Sequence, residues 1–112
     1  MLEQDRILSI LELLKLFDNS NKVASNLVQS FFRSRKYMGS KDRKFVSNSF
    51  WNILRHRSKI GWHLTSLGLK KTHEKELLLE LFFLNSYYQN DLLQIKNLFV
   101  LKYRAVNNVA VG

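Results

Sequence analysis

The residues best suited to chemistry in this sequence are cations gathered in positions 33–59. This window holds nine basic residues and one acidic residue, Asp42, so it carries +8 of the chain's net charge of +9. The basic residues are Arg33, Arg35, Lys36, Lys41, Arg43, Lys44, Arg55, Arg57 and Lys59. A local positive field of this kind neutralises phosphates and gains affinity from the counterions it releases. The window therefore predicts a polyanion, RNA above all, as the partner, and a merely solvated basic face is the competing interpretation.

Three kinds of feature in this window suit RNA contact: the cations, a helix start and two aromatic rings. Ser40 and Lys41 stand where a helix is expected to begin, and its unpaired backbone N–H groups suit a phosphate. Tyr37 and Trp51 offer faces for stacking on unpaired bases. Packing against a neighbouring helix competes with stacking for both rings and is the favoured interpretation for Trp51. The residues predicted to bind RNA are Arg33, Arg35, Lys36, Tyr37, Ser40, Lys41, Lys44, Trp51, Arg55 and Lys59.

Four other residues of the window are predicted to be structural. Gly39 is expected to end a helix in the left-handed conformation, after which the Ser40 hydroxyl caps the next helix. Asp42 lies in the first turn of that helix and interacts favourably with its dipole. Arg43 and Arg57 project towards the apolar arc at the two ends of the same helix, so we expect them to brace neighbouring elements.

Signatures of catalysis and of bound cofactors are missing from the sequence. There is no cysteine, no glycine-rich phosphate loop and no nucleophile elbow. The three histidines, His56, His63 and His73, lack the spacing of metal ligands. We therefore expect no metal, no cofactor and no catalysis by this chain alone. No signal peptide or membrane-spanning stretch is apparent, which predicts a soluble protein of the cytoplasm.

The elements that must position the basic window are helices, because apolar residues recur every three or four positions. The apolar stripe predicted for the first helix consists of Ile7, Leu8, Leu11, Leu14 and Phe17. The core positions predicted in the other helices are Val23, Leu27, Val28, Phe31, Phe32, Val46, Phe50, Ile53, Leu54, Leu81 and Phe82. No segment alternates as a strand bounded by hairpin turns, so the fold class predicted is all-α, an orthogonal helical bundle. Residues 1–104 form one domain in this interpretation, and residues 105–112 form an irregular tail. The helices are expected at about Leu2–Asp18, Lys22–Lys36, Lys41–Arg57, Ile60–Leu67, Glu74–Tyr88 and Asp91–Lys102.

Two motifs in the basic window resemble a known family. An aromatic-Arg pair, Phe32-Arg33, leads to a Tyr-x-Gly-Ser-x-Asp-Arg turn at Tyr37–Arg43, and an Ile-Leu-Arg-x-Arg string follows at Ile53–Arg57. These motifs resemble the NusB-like RNA-binding domain at the N-terminus of the Sun/Fmu (RsmB-type) 16S rRNA cytosine-C5 methyltransferases. The resemblance implies a NusB-like fold that contacts ribosomal RNA. In the full-length enzymes it also implies a separate catalytic domain that binds S-adenosylmethionine.

The sequence departs from that family in its chemistry and its length. The catalytic cysteines of the family are absent, and the further helix that the family has beyond the region of Tyr103 is not expected here. A truncated product, a gene remnant and a standalone module all fit this departure, and truncation predicts self-association through the uncovered surface. Three interpretations stay open. The chain is an RNA-binding module, the detached RNA-binding part of a split methyltransferase, or a NusB-type antitermination module that pairs with a ribosomal protein. Attachment to a membrane surface is not expected, because the basic helix turns its apolar arc to a core.

Overall fold

The fold is all-α in the part of the chain that the computed structural model describes, residues 2–81. Five helices follow one another there without a strand, and no one of them has the length and apolar character needed to cross a bilayer. The helices are α1 (Glu3–Asp18), α2 (Ala24–Arg33), α3 (Ser40–Arg55), α4 (Arg57–Ser66) and α5 (His73–Leu79). The second half of the predicted fifth helix, the predicted sixth helix, Phe82 and the predicted tail lie outside the described residues.

Helix α1 is the centre of the bundle. It packs against α2, α3 and α5, while α4 closes the structure against α3 and α5. Because α1 has neighbours on several sides, its buried arc is wider than the stripe expected from the sequence. Ile10 and Leu13 have no exposed surface, although the predicted stripe did not include them, and the predicted Leu8 is only partly buried.

The core predicted from the whole chain is confirmed in most of the described positions, but the prediction for Val23 is wrong, since it is 65% exposed. Phe50, at the middle of α3, is fully buried, and its ring meets the ring of Phe17 edge to face at 5.8 Å between centroids. Phe32 and Leu54 lie at the margin and are partly buried. The predicted positions that are buried include Leu11, Leu14, Phe31, Val46, Phe50, Ile53 and Leu81. Burial of such side chains is the main favourable term in forming the bundle.

The predicted conformation of the α2–α3 connection is wrong in two respects. Gly39 has φ −72° and ψ 170°, an extended conformation open to any residue, and it precedes α3 as the N-cap. The Ser40 hydroxyl therefore makes no capping hydrogen bond, because Ser40 is already the first residue of the helix. Among residues 2–81, the glycine with positive φ is Gly68, at 69°, which follows α4.

Helix α2 is shorter than expected at both ends. It begins at Ala24 and ends at Arg33, where the predicted range was Lys22–Lys36. The Ser34 hydroxyl donates to the carbonyl oxygen of Phe31 at 3.0 Å, and such side-chain bonds compete with helix propagation. The last basic residues of the predicted helix, Arg35 and Lys36, therefore lie in the connection to α3.

A network of ion pairs around Arg57 joins three helices. The Arg57 guanidinium donates to Asp18 at the end of α1 with distances of 2.7 and 2.8 Å. Its Nε also donates to Glu76 of α5 at 2.8 Å, and Glu76 is 1% exposed. His73 Nε2 lies 2.6 Å from Asp18. These contacts of Arg57 hold α1, α4 and α5 together. The predicted position of Arg57 is wrong, because the third helix ends at Arg55 and Arg57 is the first residue of α4.

This network makes the stability of the fold sensitive to acid. The hydrogen bonds from Arg57 lower the pKa of Asp18 from 3.8 to about 2, against the opposing effect of burial. A carboxyl group whose pKa is lower in the folded state stabilises the protein fully at pH values above its pKa in the unfolded state. This contribution is lost as the pH falls through the pKa of the folded state. We expect Asp18 to contribute about 1 kcal/mol near neutral pH, after allowance for its partial exposure to solvent.

Urea unfolding at several pH values measures this effect. The free-energy difference between the wild type and Asp18→Asn should shrink between pH 4 and pH 2, because the contribution disappears from about 3.8 down to about 2. A difference that stays constant over that interval would show that the ion pair does not stabilise the folded state.

Candidate nucleic-acid interface

An open groove between α2 and α3 is lined by four cations. Arg33 ends α2, Lys36 follows in the connection, and Arg43 and Lys44 lie in the first turns of α3. The groove encloses about 600 Å³, and no carboxylate lines it among the residues that the structure describes. The remaining lining residues are Val28, Gln29, Phe32 and Ser47. A concave surface with four positive charges and no opposing charge is suited to phosphate groups.

The connection between the two helices fixes the shape of this groove. Met38 is 2% exposed and anchors the connection in the core. Its backbone N–H donates to the Arg35 carbonyl at 3.1 Å, and its own carbonyl accepts from Arg43 Nε at 3.0 Å. These contacts hold the end of α2 at a set position relative to the start of α3. Arg43 therefore combines the bracing contact expected from the sequence with a place on the groove wall, which sequence reasoning missed.

Arg35 is held on the other side of the connection. Its guanidinium lies over the Phe31 ring at 3.8 Å from the centroid and donates to the Phe31 carbonyl at 3.2 Å. It also forms an ion pair with Glu12 of α1. Phe31 and Glu12 therefore occupy the charge and several donors of Arg35, and the ion pair with Glu12 links the end of α2 to α1. The structure does not place it in the groove with Arg33 and Lys36.

Further cations follow the exposed side of α3 and continue into α4. Lys41, Lys44 and Arg55 are exposed, and their spacing of three and eleven residues places them on one side of the helix. Arg55 donates to the Asn52 side chain at 3.2 Å. Lys59 is exposed in the first turn of α4. Among residues 2–81, no ion pair involves Arg33, Lys36, Lys41, Arg43, Lys44, Arg55 or Lys59.

Of the six cations outside the basic window in residues 2–81, three lie near carboxylates, and Lys22, Lys70 and Lys75 do not. Lys15 lies 3.3 Å from Glu74, and Lys71 lies 3.9 Å from Glu76. Arg6 donates to Asp42 at 2.6 Å across α1 and α3. Asp42 is 8% exposed, so it is a buried partner of α1 in addition to lying in the first turn of α3. The acidic residue of the basic window thus faces inwards, which leaves the outer surface of α3 more positive than the sequence total suggests.

The two aromatic residues predicted to bind RNA lie apart from the groove. Trp51 is partly buried against the core, with its ring 5.4 Å from the Phe50 ring. Tyr37 is 73% exposed, but it lines a separate cavity of about 460 Å³ together with Asp5 and Glu12. Because Asp5 and Glu12 line it, this cavity lacks the unopposed positive charge of the groove. Neither ring lines the groove that Arg33 and Lys44 share.

Gln29 is a groove residue that the sequence predictions did not include, whereas they did include Arg33, Lys36 and Lys44. Gln29 and Arg33 are four residues apart and share one helical face, and both line the groove. This spacing would have extended the predicted surface from Arg33 to Gln29. No sequence pattern indicates that Arg43 lines the groove, because this depends on the relative placement of α2 and α3.

The fold and the site together define an all-helical protein with an unbalanced basic groove. Comparison with family models, with curated proteins and with solved structures finds no match for the chain. The likeness to NusB-like domains thus stays a prediction from sequence motifs, and the assignment of function depends on the groove itself.

Proposed function

We propose that this protein is an RNA-binding module whose phosphate-binding surface is the groove between α2 and α3. The observation that supports this best is the set of four cations, Arg33, Lys36, Arg43 and Lys44, around a groove without a carboxylate in the described structure. Fixed guanidinium and ammonium groups bind phosphate oxygens through charge-assisted hydrogen bonds. The exposed cations Lys41, Arg55 and Lys59 extend this positive surface along α3 and into α4.

The sequence motifs favour ribosomal RNA as the target. In this proposal the chain is related to the targeting domain of rRNA cytosine-C5 methyltransferases and works in the cytoplasm. It is not an enzyme by itself, since that reaction needs a cysteine nucleophile and the sequence has none. Residues 2–81 also do not fit S-adenosylmethionine, because they hold no strand followed by a glycine-rich turn.

The salt dependence of RNA binding tests the proposal. Each phosphate contact contributes about −0.7 to the slope of log affinity against log salt for single strands, so four to seven contacts give a slope of about −3 to −5. We expect such a slope when fluorescence anisotropy is measured with labelled ribosomal RNA fragments between low and physiological salt. Absence of binding at low salt, or a slope near zero, would contradict the proposal.

Two alternatives from the sequence lead to different partners. A NusB-type antitermination module pairs with a ribosomal protein while it holds RNA, and the RNA-binding part of a split methyltransferase pairs with a separately encoded catalytic domain. Purification of the tagged chain from cells, with RNA and proteins both identified, distinguishes them. Under our proposal RNA is recovered with or without a protein, and its recovery falls when Arg33, Lys36 and Lys44 are replaced. Recovery of protein alone, unaffected by nuclease treatment, would favour a protein-interaction module.

A further inference from the structure

Trp62 is a large aromatic side chain that the core of the described helices does not use. It is 66% exposed on α4, whereas Ile60 and Leu64 of the same helix are 0% and 2% exposed. Ile60 and Leu64 are four residues apart and share the inward face, and Trp62 lies about 200° around the helix from each of them. The helix therefore presents the indole to solvent because of its register, and burial of that ring contributes little to the fold.

The surroundings of Trp62 suit a nucleic acid. Lys59 precedes it by three residues, which places the two side chains next to each other on the helix surface. The Trp62 ring also meets the ring of His63 edge to face, at 5.0 Å between centroids. Across the α3–α4 junction the next exposed cation is Arg55, and neither it nor Lys59 has a carboxylate partner in the described structure.

We infer that the indole of Trp62 is a stacking platform for an unpaired base of the RNA, with Lys59 binding an adjacent phosphate. This inference rests on the proposed function and narrows its ligand to RNA with unpaired bases, because a base inside a duplex offers no free face to a side chain. Base stacking on an aromatic ring strengthens binding without selecting a sequence, since every base has a face. The groove and Trp62 then have different tasks: the groove binds backbone phosphates, and Trp62 distinguishes single strands from duplexes.

Binding of an oligouridine strand and of an RNA duplex of equal length tests the assignment. We expect Trp62→Ala to weaken oligouridine binding about tenfold. The affinity for the duplex and the salt slope for both ligands should stay as in the wild type, because no charge is removed. Trp62→Phe should recover most of the lost affinity, since it restores a stacking face. Leu67→Ala is a matched control, because Leu67 is also 66% exposed and apolar but has no aromatic face.

Fluorescence gives a readout that a purely structural role would not change. The chain has two tryptophans, so in a Trp51→Phe variant the emission comes from Trp62 alone. Saturating oligouridine should quench this emission, and the duplex should leave it nearly unchanged.

The outcomes separate this inference from the proposed function. If binding depends on salt but Trp62→Ala and Leu67→Ala weaken it equally, the role of Trp62 is overturned. The proposed phosphate-binding groove is then unaffected. An equal loss for single strand and duplex would overturn it as well. Failure of the wild type to bind either RNA would overturn the proposed function and, with it, the stacking platform.

Discussion

Replacing Arg33, Lys36 and Lys44 together with alanine is expected to lower RNA affinity about 100-fold near 0.1 M salt. Each lost phosphate contact reduces the slope of log affinity against log salt by about 0.7, so three lost contacts flatten the slope by about 2. Between about 1 M and 0.1 M salt, this change in slope corresponds to about two log units of affinity. Arg43 is left in place, because its Nε donates to the Met38 carbonyl and supports the connection between α2 and α3. Anisotropy titrations over a range of salt concentrations measure both quantities.

A variant with equal charge loss elsewhere controls for the overall field. Lys22, Lys70 and Lys75 lie outside the groove and form no ion pair within residues 2–81, so their replacement with alanine removes the same three charges. We expect the control to lose a few-fold in affinity with little change in slope. Equal losses in the two triple variants would mean that RNA responds to net charge and that the groove is not a site.

Arg57→Ala is expected to destabilise the fold by about 3 kcal/mol. The substitution leaves the carboxylate of Glu76, 1% exposed, without its 2.8 Å partner, and it also releases Asp18 at the end of α1. This value is at the lower end of the destabilisation expected for a broken buried ion pair, because Lys71 still lies 3.9 Å from Glu76. Chemical denaturation followed by circular dichroism measures the free energy of unfolding.

Arg55 offers a matched control two positions earlier. It has the same side chain, but it is exposed and donates to Asn52 alone among the hydrogen bonds of the described residues. Arg55→Ala should change the free energy of unfolding by less than about 0.5 kcal/mol. Arg57→Ala combined with Glu76→Gln should recover part of the loss, since the buried charge is then removed with its partner. Similar losses for the two arginines would contradict a structural role specific to Arg57.

The contrast between these two arginines shows where sequence reasoning ends. Both stand in the basic window, and the motif Ile53–Arg57 holds them two residues apart. Helical periodicity separated them by placing Arg55 on the polar side and Arg57 towards the core at the end of the third helix, but the structure makes Arg57 the first residue of α4. Periodicity could not show that Asp18 and Glu76, 39 and 19 residues away along the chain, supply the partners.

Tyr37 and Trp62 show the same limit for aromatic residues. Sequence proximity to cations placed Tyr37 in the RNA surface, but the folded chain sets it beside Asp5 and Glu12 of α1. Trp62 lies beyond the densest part of the basic window and was not singled out, yet it is 66% exposed next to Lys59. The exposure and the neighbours of both rings depend on which helix packs against which face. Local sequence spacing does not determine this packing.

The sequence by itself determined the helical character of the chain, the positions of most core residues and the location of nearly all of the net positive charge in residues 33–59. These properties follow from local periodicity and composition, which act over a few residues. Only the tertiary structure decided which cations remain available. Packing of α1 against its neighbours brings acidic side chains to Arg35 and Arg57, and it leaves Arg33, Lys36 and Lys44 unopposed around the groove. The physical reason is that an ion pair between distant segments depends on the approach of two helices, whereas net charge depends on composition alone.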